Sequence, residues 1–377
     1  MSLEALGWDG GWAVAFAPFA GAVRRPGRVV AVHRETSIVR GVGPEDRPAI
    51  VSGRFRHDAL ATSDFPAVGD WVALEADRAE ADRDEAEADD PAVIAAVLPR
   101  RSAFRRSASD ASRASVGLLA DEQVIAANVD IAFLVAGLDD DFNLRRMERY
   151  LAVAWASGVT PVIVLNKSDI ALDAEARWLA VSGIAAGVPI LTLSARTGDH
   201  LADLAEFLVA GRTSVVLGSS GVGKSTLVNA LLGEDRQATA AVRSDDSRGR
   251  HTTTHRELFA LPGGALLIDT PGIRSLEVVG ADAGLDGAFD DIAELAASCR
   301  FSDCGHGTEP GCAIRTALAS GELDPGRLVS YRKLERESAH AERKVDPRAQ
   351  AEERRRWKTI HKAAEKKMLD KYGEERR

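Results

Sequence analysis

The most specific chemistry in this sequence sits at Gly218-Ser219-Ser220-Gly221-Val222-Gly223-Lys224-Ser225. The spacing G-x-x-x-x-G-K-S follows the apolar run TSVVLG and opens STLVNALLG, so a strand should feed a loop and then a helix. Glycines at these places let backbone N–H groups turn inward around phosphate oxygens, and the helix N-terminus adds a favourable dipole. Lys224 is then a point charge for β- and γ-phosphates, Ser225 a hydroxyl for Mg²⁺, and Thr226 completes the nucleotide-binding run. The competing reading is a Gly/Ser-rich connector, which would not need a strand before it and a helix after it.

A phosphate loop does not choose a base. Asn166-Lys167-Ser168-Asp169 closes the apolar run TPVIVL. Guanine presents N1–H and its 2-amino group side by side, and one carboxylate accepts both, whereas adenine offers an acceptor at N1 and leaves Asp169 a bond short. Lys167 would lay its stem along the base and Asn166 would brace the loops. Alone this tetrapeptide also reads as an αβ loop; beside a phosphate loop it points to GTP or GDP. Ser194-Ala195, after PILTL, resembles the S-A pair of GTPases that gives the guanine O6 a backbone contact.

Asp269-Thr270-Pro271-Gly272 resembles the D-x-x-G of a GTPase second switch: Asp269 would hold magnesium through water and the Gly272 N–H would sense the γ-phosphate. A plain Pro-Gly turn is the alternative. Between the two loops lies Arg248-Gly249-Arg250-His251-Thr252-Thr253-Thr254-His255, where Thr252 or Thr253 would complete the magnesium shell. Ile273 stands where many GTPases carry a water-orienting glutamine. Isoleucine cannot orient water, so His251 is the candidate, with an exposed loop histidine as the other reading. The catalytic set expected is His251, Lys224, Asp269 and Gly272.

All 3 cysteines fall in one short stretch, C-x₄-C-x-H-x₅-C, made of Cys299, Cys304, His306 and Cys312. Three thiolates and one imidazole suit a closed, tetrahedral, structural zinc site. Free thiols beside a satisfied histidine are the alternative, which the clustering disfavours.

These residues need elements to hold them. From about Gly27 to Arg100, short alternating runs (GRVVAVHRE, AIVSGRFR, VGDWVALEAD, PAVIAAVLPR) predict a small barrel or sandwich. From about Ala126, apolar strands alternate with helices, which predicts a mostly parallel sheet whose ligands bind at the carboxyl ends of the strands. The motifs fall on those ends. A helical, cysteine-bearing segment follows from about Gly287. The expected division is an extension at 1–26, a barrel at 27–104 with an acidic loop at 75–90, a linker at 105–125, a nucleotide domain at 126–286, a zinc domain at 287–345 and a basic helical tail at 346–377.

The base-reading loop precedes the phosphate loop here, the reverse of the usual GTPase order. That is a circular permutation of one sheet. The second switch then leads by a short connection into the C-terminal unit, so nucleotide state could move that unit directly.

The 377 residues carry a formal charge of −9, with 45% hydrophobic residues, which suits a soluble globular chain and excludes collagen, a rod or a wholly disordered protein. The charge is unevenly placed. Glu75 to Asp90 holds nine acids and two arginines, a solvated loop by composition, while Tyr331 to Arg377 has 16 Lys/Arg against 10 Asp/Glu. A body close to neutral with a basic end can bind RNA locally, and RRRWKTIHKAAEKK offers basic residues around Trp357 for it. A solvated charged helix is the other reading. The apolar stretch Trp12 to Val23 is broken by Pro18 and preceded by Glu4 and Asp9, unlike a secretory signal. Few cysteines and no membrane span point to the cytoplasm, with no membrane partner.

The strings LNKSD, GSSGVGKSTLVNAL, GRHTTTH, DTPGIR and CRFSDCGHGTEPGC, in this order, resemble the RsgA (YjeQ/YloQ) family of circularly permuted GTPases over roughly Gly27 to Lys344. The resemblance implies an N-terminal OB-fold barrel, a central permuted P-loop GTPase with a mostly parallel sheet, and a C-terminal helical zinc-binding domain, a multidomain α/β protein. It implies hydrolysis of GTP to GDP and phosphate, slow alone and stimulated by the small (30S) ribosomal subunit, in late maturation of that subunit. It implies one structural Zn²⁺, Mg²⁺ with GTP, contacts to rRNA, a monomer, and a catalytic histidine at the place of His251. The runner-up is a GTP-binding rRNA adaptor with little hydrolysis; an ATPase or kinase is disfavoured by Asp169. The acidic loop and the long basic tail depart from the family pattern.

Overall fold

The computed structural model describes residues 1–20, 24–33, 36–41, 43, 45–75, 91–107, 122–233, 256–269 and 281–345. Five strands open the chain: β1 (Arg24–His33), β2 (Thr36–Arg40), β3 (Arg47–Val51), β4 (Trp71–Glu75) and β5 (Ala92–Val97), with the short helix α2 (Gly53–Asp58) after β3. Pairing runs β1-β2-β3-β5-β4 and back to β1, with β3 and β5 parallel, so the sheet closes on itself as an OB-type barrel. Alternation turns Val29, Val39, Ala49, Val72, Leu74, Ala92 and Ile94 into its interior. The acidic run begins as β4 ends at Glu75; the rest of it lies outside the described residues.

The expected extension is built into the barrel. Helix α1 (Gly10–Phe16) starts at Asp9, whose side chain accepts from the Trp12 N–H. Leu6, Trp12 and Phe16 pack with the fully buried Trp71 of β4, and Trp8 meets Trp71 edge-on at 4.8 Å between ring centroids. Strand β1 begins at Arg24, inside what the sequence suggested was extension.

The stretch expected as linker also carries structure: β6 (Ala103–Ser107) and β7 (Glu122–Ala127) form a two-stranded sheet. Ala103, Val124 and Ala127 are buried with Ala67, and Phe104 reaches the main core, which is why these residues are extended and paired. Residues 108–121 lie outside the described set.

The nucleotide sheet contains β8 (Ile131–Gly137), β9 (Thr160–Asn166), β10 (Ile190–Thr192), β11 (Thr213–Gly218), β12 (Glu257–Ala260) and β13 (Leu266–Asp269). Its order is β10-β9-β8-β11-β13-β12; the first five are parallel and β12 runs antiparallel. Two apolar layers cover its faces, one around Leu134, Leu151 and Ile163, the other around Phe133, Val164 and Leu227. Helices α3 (Leu144–Ala156), α4 (Ala174–Ser182) and α5 (Lys224–Leu232) belong to this unit, and a 3₁₀ turn spans Leu201–Glu206. β12 meets β1 at Glu257 and Ala31, joining the barrel to the sheet edge.

Arg28 of β1 sits at that junction and is fully buried. It donates to the carbonyls of Leu6, Gly69 and Asn128 and to Thr213 Oγ1, and lies 5.3 Å from the Trp71 ring centroid. Burial pulls its guanidinium down to about 10, still charged at neutral pH.

The C-terminal part is helical: α6 (Ala281–Ala288), α7 (Asp290–Ala297), α8 (Ala313–Ser320) and α9 (Pro325–Val345). α6 lies against α3. A side chain at Gly284 would strike the Ala152 carbonyl and Ala156, and one at Gly287 would strike Trp155, so glycine sets this close approach. Among the described residues no helix is long and apolar enough to cross a membrane.

Candidate nucleotide site and metal cluster

Strand register brings the sequence-predicted loops together. Gly218 of β11 pairs with Val135 of β8, Gly137 of β8 with Asn166 of β9, and Leu165 of β9 with Thr192 of β10. Ile268, next to Asp269, pairs with Val215 of β11. The carboxyl ends of five parallel strands therefore open on one side, where such sheets bind ligands.

In the phosphate loop Gly221 and Gly223 have φ of +83° and +93°, a region that favours glycine. Lys224 Nζ donates to the carbonyls of Gly218 (2.9 Å) and Ser219 (2.5 Å). Ser225 and Thr226 are half-buried in the first turn of α5. Asp269 is half-buried at the end of β13.

Asn166 joins three loops. Its Nδ2 donates to the Val222 carbonyl at 2.8 Å, and its Oδ1 accepts from the Ala195 N–H at 2.9 Å. A Cβ at Gly223 would collide with its amide, so the second motif glycine makes room for it. Lys167 takes a left-handed φ of +68° and pairs with Asp139. Ser168 donates its N–H to the Leu193 carbonyl at 3.2 Å. Asp169 accepts from Ser194 Oγ at 2.7 Å and pairs with Arg196 at 2.6 Å. The Ser194 hydroxyl, and then the Arg196 charge, hold the Asp169 carboxyl below the ordinary carboxylate range. It stays ionised, with acceptor capacity left for two donors of a base edge.

Sequence reasoning had given Ser194 and Ala195 only a backbone contact to the base. It missed the Ser194 hydroxyl on Asp169, the salt bridge from Arg196, the Asp139 partner of Lys167, and the contacts of Asp141 and Arg146 to Ser219. No spacing rule marks an Asp-Asp-Asp or Arg-Arg sequence as part of a phosphate site. His251, Thr252, Thr253 and Gly272 lie outside the described residues.

Cys299, Cys304, His306 and Cys312 come together between α7 and α8, with ligand atoms all within 4.8 Å of one another. His306 Nδ1 is 3.6 Å from both Cys299 Sγ and Cys312 Sγ, and those two sulfurs are 4.0 Å apart. A tetrahedral ion with bonds of about 2.3 Å to sulfur and about 2.0 Å to nitrogen needs edges of about 3.8 and 3.6 Å. The cluster fits a metal. His306 has a positive φ of 54°, and Glu309 accepts from the Gly305 and Gly307 N–H groups, which folds the loop around the histidine. Arg332 of α9 donates to the His306 carbonyl at 2.9 Å.

The sequence profile of the RsgA GTPase family matches residues 97–279. The chain is 51% identical over 362 residues to the small ribosomal subunit biogenesis GTPase RsgA of Opitutus terrae, covering 96% of each. It is 44% identical over 372 residues to the RsgA of Streptomyces coelicolor, covering 96% of this chain and 94% of the relative. The crystal structure of YjeQ from Thermotoga maritima superposes with a TM-score of 0.58 at 27% identity, over 83% of this chain and 97% of that one. YloQ, described as a circularly permuted GTPase, shares the fold with a TM-score of 0.55 at 23% identity, over 83% and 94%.

Proposed function

This chain belongs to the RsgA GTPase family, and from that premise we propose that it binds the small ribosomal subunit and hydrolyses GTP to GDP and phosphate late in that subunit's maturation. The observation that carries the nucleotide chemistry is Asn166, bonded at once to the phosphate loop and to the loop that faces the base. Asp169 takes the guanine N1–H and 2-amino group. The phosphate loop N–H groups take the phosphate oxygens, and Lys224 exchanges the Gly218 and Ser219 carbonyls for the β- and γ-phosphates.

Water attacks the γ-phosphorus, the bond to the β–γ bridging oxygen breaks, and GDP leaves with the electron pair. His251 orients that water, and the Gly272 N–H reads the γ-phosphate. Ser225 and, through water, Asp269 with Thr252 or Thr253 would hold Mg²⁺, since a hydroxyl and a carboxylate suit a hard cation, and the ion would supply positive charge against the phosphates. Cys299, Cys304, His306 and Cys312 would hold Zn²⁺ in a structural role, because four protein ligands would leave no open position for chemistry. The protein works as a monomer in the cytoplasm and meets rRNA through the basic run Arg354 to Lys367.

The test is single-turnover GTP hydrolysis by the full chain, titrated with purified small subunits at several salt concentrations. Slow hydrolysis alone, a rise with subunits, and loss of that rise with salt are expected. Lys224→Ala should lower the rate by about 10²-fold or more, as removal of a transition-state charge contact does. Tight GTP binding without hydrolysis under all conditions would favour the rRNA-bound adaptor instead.

A further inference from the structure

The first turn of α3 touches two separate parts of the molecule. Asn143 caps it, accepting from the Arg146 N–H at 3.0 Å. Arg145 and Arg146 are neighbours in sequence but point apart. Arg146 Nη1 donates to Asp141 Oδ2 at 2.6 Å and to Ser219 Oγ at 2.8 Å. Ser219 Oγ donates in turn to the same Asp141 oxygen at 2.7 Å. The hydroxyl of the second phosphate-loop residue is thus fixed as donor and acceptor together. Its carbonyl is held by Lys224. Ser219 is therefore tied on one side to α3 and on the other to the lysine that serves the phosphates.

Arg145 faces the C-terminal unit. It bonds Glu148 at 2.6 Å and Asp324, the residue just before α9. Asp324 also accepts from the Gly326 N–H at 2.9 Å, and the Arg145 guanidinium lies over Gly326 where a Cβ would clash. Glu148 is fully buried, and its second arginine is Arg327 of α9 at 3.3 Å. Arg327 grips Asp291 of α7 at 2.6 and 2.7 Å and the Ala288 carbonyl of α6 at 3.0 Å. A buried carboxylate held by two arginines tolerates the loss of neither partner.

We propose that the first turn of α3 couples the docked C-terminal unit to the phosphate loop, with Arg146 and Asp141 as positioning residues for Ser219 and Arg145 as their link to Asp324. The route does not pass through residues 270–280, so it is separate from the covalent connection that follows Asp269. It rests on the GTPase reading above, and it gives a partner bound to the C-terminal unit a second way to reach the phosphates.

The test is a double-mutant cycle on the full chain, read as GDP and IDP affinity by displacement of a fluorescent guanine nucleotide. Asp324→Asn keeps the acceptor for the Gly326 N–H and removes the charge; Arg145→Lys leaves a cation for the buried Glu148 but gives up the fork that also reaches Asp324, and serves if the first variant loses metal. Each should weaken GDP binding by about 3–10-fold, as should Ser219→Ala, the size of a lost charge-assisted hydrogen bond. In the Ser219→Ala background, Asp324→Asn should add less than about twofold, because the coupling has already been cut. The GDP-to-IDP ratio should stay constant, since the base loop is untouched, whereas general loosening would lower it. Effects that multiply, singles within about twofold of wild type, or a falling GDP-to-IDP ratio would each overturn the proposal. Failure of the wild type to bind guanine nucleotides at all would instead overturn the GTPase reading.

Discussion

The nucleotide site and the Cys/His cluster are both built from short motifs, but they are assembled in opposite ways. The cluster draws four ligands from Cys299 to Cys312, between two adjacent helices. The nucleotide site draws Asn166, Ser194, Gly218 and Asp269 from four different strand ends, and parallel register aligns them. A local site stands or falls with its ion. A distributed site stands on the sheet, and each loop can be weakened separately. This contrast is why one residue, Asn166, joins three loops, whereas the Cys/His loop is held by its own turn and by Arg332.

The largest effect should separate the two regions. Cys304→Ala should release the metal and unfold the loop around it, since apparent zinc binding in such sites is about 10–16 kcal/mol and much of it is folding energy. Metal content and thermal unfolding of the full chain check this. GDP affinity should fall no more than the several-fold transmitted through α3; complete loss would break the contrast.

A smaller effect should come from one loop of the distributed site. Asp169→Asn should weaken GTP binding by about 10²-fold and improve binding of xanthosine nucleotides, because the amide offers a donor where guanine needs an acceptor. Nucleotide competition checks it, and unchanged guanine preference would sink the assignment of that loop.

The smallest effect is in pH. Asp169 has a depressed pKa, so the ionised form that reads guanine is present above that value and is lost as pH falls through it. Guanine preference should therefore persist below about pH 4, the ordinary aspartate range. Arg196→Ala removes part of the depression and should move the loss upward in pH. Affinity against pH for the two proteins checks the sign.

Much of this was legible in the sequence for physical reasons. Phosphate needs glycine backbone and a lysine at fixed spacing, and a tetrahedral ion needs four soft ligands, so both leave local patterns. The permuted order was likewise readable, because the loops keep their identity wherever the chain is cut. What escaped depends on contacts between distant residues. Trp8 and Trp12 carry no motif, and their place follows only from packing on Trp71 of the barrel, far away in sequence. Arg196 and Ser194 on Asp169 needed the β9–β10 register. Arg146 has no motif at all; its place follows from the helix cap at Asn143.

One consequence of the junction between β12 and β1 concerns what the molecule does not do. A sheet edge is an open template for another chain, and proteins must blunt it. Here the barrel has no edge, because it closes through β1 and β4. The antiparallel side of the nucleotide sheet meets that barrel at Glu257 and Ala31. Among the described strands of this large sheet, the far end is β10, only three residues long, Ile190–Thr192. The described strands of this sheet thus form one hydrogen-bonded run that ends in a three-residue strand on one side and in a closed barrel on the other. Besides linking two functional units, the barrel takes up the β12 side of the GTPase sheet at Glu257, where a strand edge would otherwise begin.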